Sequence, residues 1–186
     1  MSFAFSRPKQ EQVFKDFLQD LPTFKWDDSK ETRDLGQGSY GYVKLGRFKS
    51  AQCREEQEVV VKVSRDVRGN EREFFKEAKL LNCVNGHQNV VSFKAISSRP
   101  FALMTEYVKF SFMPFGDETI VSSLFSLDFL SHANLQYDLK GFEHVVPVIA
   151  KDIAFGLKFL HENDVVHRDL KPANILLLLK RLFLSC

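Results

Sequence analysis

The stretch His167-Arg168-Asp169-Leu170-Lys171-Pro172-Ala173-Asn174 constrains this chain more than any other, because it is a polar segment set between two apolar ones. Upstream, Val146, Ile149, Ile153, Leu157 and Leu160 recur at helical spacing, and Pro147 suits a first turn. The pattern predicts a long helix that closes at His161-Glu162-Asn163. Downstream, Ile175-Leu176-Leu177 reads as a short strand. A helix must therefore hand over to a strand through a fixed loop, and Pro172 helps to fix it, since its ring sets φ and stops a helix from running through.

The loop offers a carboxylate (Asp169), an ammonium group (Lys171) and an amide (Asn174) within six residues. Phosphoryl transfer to a hydroxyl needs one of each: a carboxylate to orient the nucleophile and accept its proton, a cation near the moving group, and an oxygen ligand for Mg²⁺. The segment resembles the catalytic loop of the protein kinases, H-R-D-L-x-x-x-N, and a lysine two residues after the aspartate is similar to the serine/threonine-directed members. The resemblance implies that Asp169 and Lys171 are catalytic, that Asn174 is a metal ligand, and that ATP and Mg²⁺ take part. It also implies an α+β, two-lobed fold, with an antiparallel sheet and helix αC in the N-lobe and a helical C-lobe.

Further segments stand upstream in the order the resemblance requires. Leu35-Gly36-Gln37-Gly38-Ser39-Tyr40-Gly41-Tyr42-Val43 contains G-x-G-x-x-G-x-V, and Tyr42–Phe48 reads as a strand, so the glycines fall in a hairpin rather than at the start of a dinucleotide-binding helix. Glycines there let backbone N–H groups approach phosphate oxygens, and Leu35 and Val43 would cover the adenine by resemblance. Glu58-Val59-Val60-Val61-Lys62-Val63 is a β-branched run, predicted as a buried strand whose lysine needs an anionic partner. It resembles V-A-I-K, which makes Lys62 the ligand of the α- and β-phosphates and puts Val60, in place of alanine, in the adenine pocket. Asn70–Cys83 is predicted as a helix with Asn70 as N-cap, similar to αC, with Glu77 as the partner of Lys62 and Glu73 as the alternative. In Phe101–Val108, the resemblance implies Thr105 as gatekeeper, and Glu106 and Val108 as backbone contacts to the base. Leu176 would pack beneath it.

These matches divide the chain into an extension at 1–28 with a short amphipathic helix from Gln12 to Leu21, an N-lobe at 29–107, a partial C-lobe at 108–177 and an apolar tail at 178–186. The C-lobe part would hold αD, the long helix and the catalytic loop. The N-terminal helix is expected to pack on the domain, with partner docking as the alternative. No Asp-Phe-Gly occurs in the sequence, so the chain is expected to be a truncated fragment that binds ATP weakly, with little Mg²⁺ dependence, and transfers no phosphoryl group alone. The alternative is an inactive decoy or scaffold. A net charge of +2 implies no nucleic-acid or membrane footprint. Cys53, Cys83 and Cys186 suit reduced thiols, and the start lacks a secretory leader, so a cytoplasmic location is expected.

Overall fold

Why the first half of the chain folds as a sheet is clearest where apolar side chains alternate in orientation. In the computed structural model, which describes residues 20–26, 32–38, 41–49, 56–65, 67, 71–112, 119–121 and 142–176, five strands form one antiparallel sheet. They are β1 (Arg33–Gly38), β2 (Gly41–Phe48), β3 (Gln57–Ser64), β4 (Phe93–Ser98) and β5 (Phe101–Glu106), in the order β1-β2-β3-β5-β4. Val59, Val61 and Val63 of β3 point to one face, where they pack with Ala95, Ala102, Met104 and Phe24. The valine run predicts a buried strand with a buried lysine; Val59, Val61 and Val63 are buried, but the lysine is corrected, its side chain being 49% exposed. Successive residues of a strand face opposite ways, so Lys62 cannot share the environment of its valine neighbours.

The other face carries helix α1 (Glu71–Cys83). Its Phe74, Phe75 and Ala78 are buried against Phe93, Ile96 and Leu103, and Leu81 is partly buried beside them. Phe101 completes a set of edge-to-face rings with Phe74 and Phe75 at 5.3 and 6.2 Å. Glu71 and Glu73 in the first turn sit favourably at the positive end of the helix dipole. Asn70, the anticipated N-cap, lies outside the described residues.

Residues 20–26 also belong to this core. Leu21 is buried with α1, Phe24 with the three valines, and Trp26 lies over Gly46, where an added Cβ would come within 3.1 Å of the indole. Residues 12–19 of the anticipated amphipathic helix are outside the described set.

The described residues form two compact units: the first runs up to Asn85 and includes Ser92–Tyr107, and the second holds Gly86–Val91 and those from Val108 onward. In the second unit, β6 (Phe110–Phe112) and β7 (Thr119–Val121) pair antiparallel, and helix α2 spans Phe142–Glu162. The anticipated αD falls outside the described residues. Pro147 lies inside α2 rather than in its first turn, because the helix begins at Phe142. The segment 86–91 packs on α2: His87 stacks on Phe159 at 4.4 Å, and Gly156 leaves room for the Asn89 carbonyl, which a Cβ would approach to 2.9 Å. Helix α2 ends in a Schellman arrangement, with Val165 N donating to Leu160 O at 2.9 Å, Asp164 N donating to His161 O at 3.1 Å, and Asp164 at φ 59°. The result is the expected α+β class.

Candidate active site

Strand register aligns the first group of candidate residues. Gly36 pairs with Val43, Val43 with Lys62, and Lys62 with Leu103, while Leu45 pairs with Val60 and Val60 with Thr105. Partners across a ladder share a face, so Gly36, Val43, Val60, Lys62 and Thr105 all lie on the α1 side of the sheet. Val43, Val60 and Thr105 are only partly buried there. Leu35 is the residue at which the β1–β2 register shifts, and it is 40% exposed. Gly38 pairs with Gly41 across a two-residue connection that lies outside the described set.

Gly41 has a reason for being glycine that the sequence did not show. Its φ is +153°, and a Cβ there would collide with the Val63 carbonyl oxygen. At Gly36, by contrast, a Cβ would meet nothing within 4 Å. The protein itself therefore requires the third glycine of the loop, whereas the first is left open toward whatever approaches that face.

Lys62 Nζ lies 3.5 Å from Glu77 Oε1, with both side chains about half exposed, at 49% and 48%. Glu73 bonds Lys76 at 2.7 Å, one turn along the same helix, instead of reaching β3. An exposed pair of this kind contributes about 0–1 kcal/mol, so the contact orients Lys62 more than it stabilises the fold.

Thr105 and Glu106 close β5, and Glu106 is held at two points: its N–H donates to Ser92 O at 2.9 Å, and its Oε1 accepts from Ser92 N at 2.7 Å. Asn85 makes a similar two-point contact with Phe93, donating through Nδ2 to Phe93 O at 2.9 Å and accepting at Oδ1 from Phe93 N at 3.1 Å. The roles of the Glu106 carboxylate and of Asn85 were missed from sequence, since nothing in their spacing marks a side chain that copies a backbone ladder. Val108, just beyond, is 9% exposed, and Leu176 in the second unit is 39% exposed.

The second unit brings together the catalytic-loop candidates. Lys171 Nζ lies 2.9 Å from Asp169 Oδ2, and Asn174 Nδ2 donates to the same oxygen at 2.9 Å and to Asp169 O at 2.8 Å. The hydrogen bond from Lys171, followed by that from Asn174, holds the Asp169 carboxyl below its ordinary value of 3.8. Asp169 N donates to His167 O at 2.9 Å, around Arg168 at φ 61°, a tight turn that aims the carboxylate. Pro172 does more than interrupt a helix: it opens a short 3-10 turn, Pro172–Asn174, in which Asn174 N donates to Lys171 O at 2.9 Å. That turn carries the amide back onto Asp169.

The chemistry of this donor set fits one metal ligand from the loop. Both Asn174 contacts use Nδ2, so Oδ1 is the atom of that side chain suited to a hard cation. Among the described residues no group of three or more His, Cys, Asp or Glu side chains is arranged to hold a metal ion.

The first unit thus holds a sheet-borne lysine paired to a helical glutamate, and the second an Asp-Lys-Asn loop. The sequence matches the family described as protein tyrosine and serine/threonine kinase over residues 30–183, and the chain belongs to it. Among curated relatives, serine/threonine-protein kinase STY46 of Arabidopsis thaliana is 33% identical over 148 residues, covering 77% of this chain and 22% of the relative. Cyclin-dependent kinase E-1 of the same plant is 31% identical, covering 77% and 28%. The sporulation-specific mitogen-activated protein kinase SMK1 of Saccharomyces cerevisiae is 28% identical, covering 76% and 34%. The chain thus spans about a third or less of the length of these relatives.

Proposed function

We propose that this chain contributes the ATP-binding face and the catalytic loop of a kinase domain that transfers the γ-phosphoryl group of ATP to serine or threonine hydroxyls of proteins. The observation that carries the proposal is the convergence of Lys171 and Asn174 on one oxygen of Asp169. With Oδ2 occupied, Oδ1 orients the attacking hydroxyl and takes its proton as the new P–O bond forms and the bond to the ADP leaving oxygen breaks. Lys171 offsets charge on the moving phosphoryl group. Lys62, oriented by Glu77, binds the α- and β-phosphates beneath the backbone of Gly36, Gly38 and Gly41. In the first unit Leu35, Val43, Val60, Thr105 and the Glu106 backbone serve the adenine; in the second, Leu176 and the Val108 backbone have the corresponding role. Mg²⁺, when bound through Asn174, neutralises phosphate charge.

The serine/threonine preference draws on Lys171 and on the curated relatives named above. No helix among the described residues is long and apolar enough to cross a membrane. A cytoplasmic location and a protein substrate complete the proposal.

Calorimetry with ATP tests the first half: binding to the chain should weaken at least about tenfold in Lys62→Met, as expected when a charge-assisted phosphate contact is lost. Absence of any nucleotide binding would overturn it. For the second half, a complete domain containing residues 30–177 should label serine and threonine peptides from radiolabelled ATP and lose that activity in Asp169→Asn. Labelling of tyrosine alone would refute the specificity, and binding without transfer would favour a scaffold.

A further inference from the structure

Residues 20–26 lie outside the kinase-like motifs, with Leu21 at the end of the anticipated amphipathic segment, yet they bridge the sheet and helix α1. Phe24 N donates to Ile96 O at 3.0 Å, and Ile96 N donates to Pro22 O at 2.9 Å, so the segment runs parallel to the edge strand β4 with Thr23 opposite Ile96. The edge that β4 would present is thereby occupied. Phe24, on one face, is 8% exposed and meets the rings of Trp26 and Phe48 edge-on at 6.3 and 6.2 Å. Leu21, on the other, is 6% exposed in the cluster formed by Phe74, Phe75 and Ala78 of α1 with Ile96.

The buried face of α1 thus rests on Leu21 as well as on the sheet, and Glu77 adjoins Ala78 in that helix. The Lys62–Glu77 contact is half exposed and 3.5 Å long, too weak to hold a helix in register by itself. Packing has to do so. We propose that residues 20–26 form a strap that sets the position of helix α1, with Leu21 a positioning residue that acts through Glu77 on Lys62. For its effect on nucleotide binding, the proposal rests on the function assigned above. Its effect on the helix stands apart from that assignment.

The test compares Leu21→Ala, Leu21→Met and the milder Leu21→Val with Val61→Ala, which opens space on the opposite face of the sheet. Amide hydrogen exchange is followed in α1 and in β2–β3. Leu21→Ala should accelerate exchange in Phe74–Cys83 about tenfold or more and in β2–β3 by less than about threefold, with Leu21→Met near the parent. If Leu21→Ala does not fold, Leu21→Val is read in the same way. ATP affinity should fall at least about threefold in Leu21→Ala but not further when the substitution is made in Glu77→Gln, because coupled residues are not additive.

Unchanged exchange in α1, or uniform acceleration of helix and sheet, would overturn the strap, and so would an equal affinity loss in both backgrounds. Should the parent chain bind no nucleotide, the proposed function fails, while the exchange pattern still decides the strap.

Discussion

At the scale of single residues, Asp169 and the loop glycines give the sharpest expectations. The folded-state pKa of Asp169 is depressed by Lys171 and Asn174, so its contribution to stability is present above the ordinary value of 3.8 and is lost as pH falls through the folded value. Lys171→Ala should move the carboxyl titration up toward the ordinary value, and carbon NMR of the side chain would show it. A titration that does not move would mean that Lys171 does not hold the carboxylate. For Gly41→Ala, strain and the collision with Val63 O should destabilise the protein by about 1–3 kcal/mol in denaturant unfolding. Gly36→Ala should change stability by less than about 0.5 kcal/mol, since its Cβ meets open space, yet it should weaken nucleotide binding.

At the scale of elements, the ends of the helices set where the candidate residues stand. Val84 N donates to Leu80 O at 3.1 Å past the end of α1, and Asn85 then grips Phe93 at the start of β4. Asn85→Ala would leave the Phe93 N–H and C=O without these partners and should cost about 1–3 kcal/mol, measured by thermal or denaturant unfolding. Helix α2 ends differently, on Asp164 in the left-handed region, where an L side chain is strained. Asp164→Gly should stabilise the second unit by about 0.5–1 kcal/mol without altering the adjoining loop. A loss of stability there would show that the Asp164 side chain contributes something the backbone does not reveal.

At the scale of the whole molecule, helix α2 carries three of the exposed large apolar side chains among the described residues. Val146 is 63% exposed, Phe155 44% and Val148 39%. Val148 and Phe155 are one heptad apart, on the side of the helix away from the Val146–Leu160 stripe. A helix apolar on more than one side is usually buried, so the isolated chain should self-associate and bind an apolar dye. Val146→Lys with Val148→Lys should reduce both, as read by light scattering and dye fluorescence. A monodisperse parent chain without dye binding would contradict this.

Sequence alone determined what depends on local chemistry. The period of Phe74, Ala78 and Leu81 marked a helix, the β-branched runs marked strands, and the spacing of Asp169, Lys171 and Asn174 put three complementary groups within reach of one short turn. Tertiary structure decided what depends on residues distant along the chain. Whether Glu77 or Glu73 met Lys62 turned on how α1 sits on the sheet, and the half-exposure of Lys62 turned on how much of its own face of β3 that helix covers. The need for glycine at position 41 came from the carbonyl of Val63 on the neighbouring strand. Leu21 read in sequence only as the end of an amphipathic segment expected to pack on the domain; the docking of Pro22–Phe24 on β4 decided that it joins the cluster with α1, because a hydrophobic residue does not specify in sequence which distant surface will bury it.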